Sequence, residues 1–208
     1  MKHEAAIREI LISNTIHLVA EGGFEKATTR AIISHNPQID PEIHMNEIYI
    51  YRLFGGKAQL YEAAFNRLDH ELVVSLHACI HSVGGLTPNT KTQLYQVFRR
   101  VWWFVLSNED YCRCYIRYYY SVYFKDGSRR SHNHLFTDIM ADFKPLFREG
   151  TNVSALMHSV FTTILDFAIR VYNGDLQDSD ANRGHVFNML YSSILSYVKP
   201  ELIQPNES

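Results

Sequence analysis

Apolar residues recur at three- and four-residue spacing along nearly the whole chain, interrupted by short clusters of glycine, proline and small polar residues. In the first segment Leu11, Thr15 and Leu18 share a face, with Ile12, Ile16 and Val19 beside it, a stripe that only helical periodicity gathers. Period-two alternation, the mark of a half-buried strand, is hard to find. Such a chain is expected to be all-α, each helix burying one stripe against other helices. The breaks "GGLTPNT", "SNED", "KDGSRR", "REGT" and "NGDLQDSD" predict helices over 57–82, 90–107, 109–124, 132–147, 152–172 and 180–199.

Composition serves mainly to exclude. The 208 residues suffice for one large domain or two smaller ones, and 46% hydrophobic with 20% charged residues is an ordinary globular balance. No uninterrupted apolar run approaches the roughly 20 residues of a membrane span. The opening "MKHEAAIREIL" carries Glu4 and Glu9 where a secretory signal needs an apolar core. A cytoplasmic chain with no membrane partner is therefore expected. Three cysteines, Cys79, Cys112 and Cys114, are too few for a disulfide framework and suit a reducing compartment.

The N-terminal part breaks into three short helices. The first is predicted over 4–21, and Gly22-Gly23 supplies the left-handed residue that ends it. Phe24 follows as an anchor, and Thr28 is placed to cap a second helix over 29–35 through its hydroxyl. In "NPQIDP" two prolines four apart exclude a continuous helix, and Asp40-Pro41-Glu42 has the form of a capped turn. A third helix is predicted from Asn46 to Phe54, closed by Gly55-Gly56. Three short helices with a turn between the last two make a helix-turn-helix, whose final helix enters the major groove of DNA.

The residues of this part, "RxxLI…IxLVxEGGFEKATTRAII" followed by "NEIYIYRLFGGKAQL", resemble the N-terminal domain of the TetR (tetracycline-repressor-like) family of bacterial transcription regulators. Glu21, Gly23-Phe24, Thr28, Tyr51, Phe54 and Lys57 stand in the family's order. Two features depart from it: a longer segment between Thr28 and Met45, holding both prolines, and Asn14-Thr15 where an Ala-Ala pair is usual. The resemblance implies a DNA-binding domain over 1–57, an effector-binding and dimerisation domain over 58–208, no cofactor, and phosphate contacts from Thr28, Tyr51 and Lys57. Periodicity turns Ile50 and Phe54 inward with Leu53 beside them, leaving Asn46, Glu47, Tyr49 and Arg52 outward. Asn pairs with adenine, Glu accepts from cytosine N4, and Arg bonds guanine or phosphate.

Charge argues for few phosphate contacts. The whole chain carries −2, and the first 57 residues hold six basic side chains (Lys2, Arg8, Lys26, Arg30, Arg52, Lys57) against seven acidic ones (Glu4, Glu9, Glu21, Glu25, Asp40, Glu42, Glu47). Affinity for an operator is then expected to fall only gently with salt.

Farther along, "NEDYCRCYIRYYYSVYF" places Tyr111, Tyr115 and Tyr118 on one helical face and Cys112, Tyr119 and Tyr123 on another. A surface helix needs one apolar stripe, so this helix is expected to be enclosed. Either these tyrosines are core with their hydroxyls at its edges, or they line a cavity with Trp102, Trp103 and Phe104. The resemblance favours the cavity, holding a small apolar or aromatic effector. Arg113 and Arg117 either serve an anionic ligand or pair with Glu109 and Asp110.

The last two helices carry the stripes Leu156, Val160, Ile164, Phe167 and Phe187, Leu190, Ile194, Val198, which suggest a homodimer built as a four-helix bundle. His70, His77 and His81 lie near one helical face, but Cys112-x-Cys114 is not a zinc spacing and no acidic ligands cluster nearby, so no metal is expected. No phosphate-binding glycine loop, paired metal motif or G-x-S-x-G elbow suggests an enzyme. The reading is a ligand-responsive repressor binding a palindromic operator as a dimer. The alternative is a small-molecule-binding or scaffold homodimer that has lost DNA recognition, its reading surface covered by "NPQIDPEIH".

Overall fold

A computed structural model describes residues 2–35, 45–82 and 90–203. Among them the chain forms nine α-helices, two short 3-10 turns and no strand beyond one isolated bridge. The turn expected at Asp40-Pro41-Glu42, and the covering role considered for the segment around it, lie outside the described residues.

The helices are α1 (Lys2–Lys26), α2 (Thr29–Ser34), α3 (Ile48–Phe54), α4 (Lys57–Ser82), α5 (Thr90–Leu106), α6 (Glu109–Tyr119), α7 (Asp126–Phe143), α8 (Val153–Tyr172) and α9 (Asp180–Leu195). They gather into two compact units, residues 1–70 with 109–133 and residues 71–108 with 134–208.

In the first unit α1 packs on α2, α3 and α6. Its buried stripe runs through Ile7, Leu11, Ile12, Leu18 and Val19. Asn14 and Thr15 are buried too, and each has a partner. The Asn14 amide donates to the Ile32 carbonyl of α2 at 2.8 Å, and the Thr15 hydroxyl returns to Leu11 of its own helix at 2.7 Å. Asn14 thus ties α1 to α2 through a satisfied buried bond.

The regular part of α1 ends at Gly22-Gly23, as expected, and a short further turn carries it to Lys26. The chain bends at Gly23, whose φ of 75° and ψ of −171° suit only glycine. The bend delivers Phe24 into an aromatic cluster, 4.9 Å from the Tyr61 ring and 4.7 Å from Tyr123. The Tyr61 hydroxyl donates to the Ala27 carbonyl at 2.7 Å, securing the chain just before α2. Phe24 is the anchor that its position promised.

Four helix boundaries after α5 differ from those expected by more than one residue. α7 begins at Asp126, inside the supposed break "KDGSRR", because the first turn of a helix has free amides and tolerates small polar residues. Ser128 there is buried, 3.0 Å from the Tyr118 hydroxyl. α7 ends at Phe143, since Pro145 cannot donate within a helix and the chain passes into a 3-10 turn over Lys144–Leu146. α6 ends at Tyr119 and α9 at Leu195, each a turn early.

In the second unit α5, α8 and α9 pack together. Trp102 is buried and donates its indole N–H to Asp178 at 3.0 Å, while Tyr95 and Phe98 of α5 meet Phe187 of α9 at 4.9 and 5.6 Å. Phe147 and Val198 form the isolated antiparallel bridge.

Candidate nucleic-acid interface

The second helix begins as its sequence dictates. Thr28 stands at its N-cap, and its hydroxyl oxygen accepts from the Ala31 N–H at 3.1 Å. The hydroxyl hydrogen is left to donate outward. Thr28 is exposed.

The third helix starts two residues later than expected. Asn46 is not in it. Its side-chain oxygen accepts from the Ile48 N–H at 3.0 Å, a local capping bond that leaves the amide NH2 for a base edge. Glu47 is the N-cap residue, exposed and without a capping bond of its own. The helix stops because Gly55, with φ of 88°, takes the left-handed conformation and returns its N–H to the Tyr51 carbonyl at 2.9 Å.

Ile50 is fully buried and fixes the inward side of α3. Leu53 and Phe54 are half-buried. Arg8 holds them from α1, donating to the Leu53 carbonyl at 2.8 Å and lying 4.4 Å above the Phe54 ring. On the solvent side Ile48 is 68% and Tyr51 61% exposed. Sequence reasoning missed Ile48. Its only signal was an apolar residue two positions before the inward Ile50.

Arg52 is exposed but engaged: its guanidinium lies 4.6 Å from the Tyr49 ring centre and 3.3 Å from Glu4. Both partners of that ion pair are half in solvent, so the pair is weak and gives way readily to a phosphate or guanine. Tyr49 is half-buried rather than fully outward. Lys57 opens α4 and is half-buried, with its ammonium 5.5 Å from the Tyr61 ring centre. The Gly56 carbonyl accepts from Leu60, so the amides before Leu60 have no partner within the helix. Thr28 and the outward residues of α3 are exposed, and Lys57 at the start of α4 is half-buried.

The aromatic residues expected to line one cavity divide between the two units. Trp103 is 71% exposed, Trp102 is core of the second unit and Phe104 is half-buried there. Tyr111, Tyr115 and Tyr118 are buried in the first unit with α6 packed on α1, and Tyr119 is half-buried. Phe65 of α4 stacks on Tyr118 at 4.5 Å. Arg117 donates to the Val19 carbonyl at 2.7 Å, and Arg113 pairs with Glu109 at 2.7 Å. Among these the core reading describes α6 better than the cavity reading.

A cavity of about 150 Å³ does open in the first unit, lined by Ala58, Gln59, Glu62, Tyr118, Tyr123, Lys125, Gly127 and Ser128. Of the tyrosines considered for a cavity, Tyr118 and Tyr123 line it. The cavity is smaller than the usual ligand pocket, and Gln59, Glu62, Lys125 and Ser128 give it polar groups.

Deeper in the first unit, α4 contributes Asp69, fully buried. His132 of α7 places Nδ1 3.0 Å from both carboxylate oxygens, and the Tyr115 hydroxyl bonds the same group. Burial nevertheless raises the Asp69 pKa, outweighing His132 and Tyr115. Burial also pushes the Cys114 thiol up to about 12, so it is an inert core group.

The expected dimer stripes fare unequally. Leu156, Val160 and Phe167 of α8 are half-buried, and Ile164 is buried. Phe187, Leu190 and Ile194 of α9 turn into their own unit, where Phe187 meets α5. Val198 lies beyond α9, buried in the bridge to Phe147. The outer face of α9 carries Met189 and Ser192 instead. α8 is long and apolar enough by length and composition to cross a membrane, a test that a core helix also passes. Its surface carries the pair Asp166–Arg170 at 2.9 Å. Among the described residues no three His, Cys, Asp or Glu side chains converge as a metal site.

No known protein family matches the chain by sequence, and no curated protein does. Its fold is similar to solved structures. A TetR family transcription regulator from Marinobacter aquaeolei VT8 superposes with a TM-score of 0.74 at 13% identity, covering 95% of this chain and 98% of that one. A protein assigned to the same family from Shewanella sp. PV-4 gives 0.72 at 14% identity, over 92% and 98%. The fatty acid degradation regulator FadR from Bacillus halodurans gives 0.61 at 13%, over 88% and 93%. The fold is that of TetR family transcription regulators, as the N-terminal residues implied.

Proposed function

We propose that this chain, folded as TetR family regulators are, is a DNA-binding transcription regulator that acts in the cytoplasm as a homodimer on a palindromic operator. The observation that carries this reading is the outward side of α3. A seven-residue helix presents Ile48, Tyr51 and Arg52 to solvent, flanked by the exposed Thr28 hydroxyl and by Lys57 at the start of α4. A helix fits the major groove, and hydroxyl, amine and free helix amides suit the phosphates on either side.

Two such helices meet a duplex when their half-sites lie about 34–36 Å apart, which requires a twofold pair. The half-buried apolar residues of α8 and the Met189 face of α9 are the surface proposed for pairing, in place of the α9 stripe that is already core. Control comes from a small effector that binds the DNA-competent and DNA-incompetent conformations with different affinity. The cavity beside Glu62, Tyr118 and Ser128 favours a small, partly polar molecule over the larger lipophilic one expected from the aromatic count.

Selection of duplex DNA from a random pool by the purified protein tests the reading. Enrichment of a palindrome that Arg52→Ala and Lys57→Ala each bind more weakly is expected. Enrichment of no sequence would favour the alternative, a dimer without DNA recognition. That alternative draws support from the Glu4–Arg52 pair and the near-neutral charge of the N-terminal residues.

A further inference from the structure

Resting on the DNA-reading role just proposed, we infer that Ile48 reads thymine by its methyl group, so that the half-site places thymine opposite the start of α3. The argument begins with the direction of the side chain. Ile50 is fully buried, and two helical residues rotate the side chain by about 200°, which sets Ile48 on the opposite side. Tyr51, three residues on, flanks it on the same outward face. A single exposed apolar residue is ordinary on a protein surface. Here two large ones stand side by side on a seven-residue helix, at 68% and 61% exposure, between groups suited to phosphate.

The neighbouring side chains narrow the occupant. Arg52, once it leaves Glu4, and the free amide NH2 of Asn46 suit phosphates or polar base edges and offer a methyl group nothing. Glu47 carries the wrong charge for phosphate and finds its match in a cytosine amino group. The flanking cationic and hydroxyl groups, Lys57 and Thr28, complement a phosphate backbone rather than a second apolar protein surface. In the major groove the one apolar feature that distinguishes base pairs is the C5 methyl of thymine. Ile48 is the outward side chain on α3 that offers purely apolar contact.

The test removes that methyl alone. The palindrome selected from the random pool is resynthesised with deoxyuridine in place of thymidine, one position of each half-site at a time, and binding is titrated with wild-type protein and Ile48→Ala. At one or two positions the wild type is expected to lose about fourfold in affinity per half-site, the worth of one buried methyl. Ile48→Ala is expected to bind the thymidine and deoxyuridine duplexes alike, with unchanged circular dichroism because the residue lies outside the core. A palindrome at which no deoxyuridine weakens binding, or Ile48→Ala that remains sensitive to the methyl, overturns the inference while leaving the DNA-reading role intact. Failure to select any palindrome overturns both.

Discussion

Replacing His132 by alanine removes the main partner of a carboxylate that has no water to turn to. Asp69 is fully buried, and His132 meets both its oxygens at 3.0 Å. Removing one member of a buried pair costs about 3–5 kcal/mol, because the other charge is left uncompensated. A cost near 3 kcal/mol is expected, since the Tyr115 hydroxyl remains. The sign of the pH dependence follows from the carboxyl group. Its folded pKa already stands above the ordinary 3.8, and His132 is the largest influence holding it down. Between 3.8 and the raised value the folded protein keeps a proton that the unfolded chain releases, so stability falls as pH rises through that window. Loss of His132 pushes the pKa higher and widens the window. The deficit of His132→Ala is therefore largest at neutral pH and shrinks on acidification as Asp69 takes a proton. Asp69→Asn, which keeps the shape and drops the charge, is expected to cost about 1 kcal/mol or less. Urea unfolding followed by far-UV circular dichroism, from mildly acid to neutral pH, measures all three proteins. A His132→Ala deficit constant with pH, or an Asp69→Asn deficit as large as it, would refute the reasoning.

Thr28→Val removes the hydroxyl that caps α2 at 3.1 Å and is expected to cost about 1 kcal/mol in urea unfolding, besides weakening DNA binding. Lys57→Ala is expected to lower affinity uniformly across operator variants and to reduce the salt slope by about one unit; a change in sequence preference instead would assign it to a base. Val160→Glu, on the half-buried face of α8, is expected to shift sedimentation from dimer to monomer with little change in helicity, and an unchanged dimer would place the interface elsewhere.

Local chemistry made the N-terminal helices legible. Gly23, Thr28 and Gly55 each impose a conformation or a capping bond on their immediate neighbours, and each does so where expected. Side-chain direction on α3 was legible too for Ile50, Phe54 and Tyr51. What failed needed information about partners. The periodicity of α6 says that several faces are apolar, which holds equally for a cavity wall and a packed core, and only α1 lying against it decides. The stripe Phe187, Leu190, Ile194 is apolar whether it meets α5 or a second copy. "KDGSRR" has the composition of a loop, yet a helix's first turn accepts the same residues. Asp69 passed unnoticed because one acidic residue in a long helix carries no sequence mark of burial.

Between Phe54 and Lys57 the chain has only Gly55 and Gly56. α3, the helix proposed to read DNA, is thus joined to the 26-residue α4 by a joint with almost no slack. A tilt of the leading end of α4 is delivered to α3 within two peptide units, before any intervening loop absorbs it. Under the proposed function, control by an effector needs no unfolding and no rearranged core. It needs a push on one end of α4, small enough to leave every buried contact in place and large enough to turn Ile48 and Tyr51 out of register with the groove.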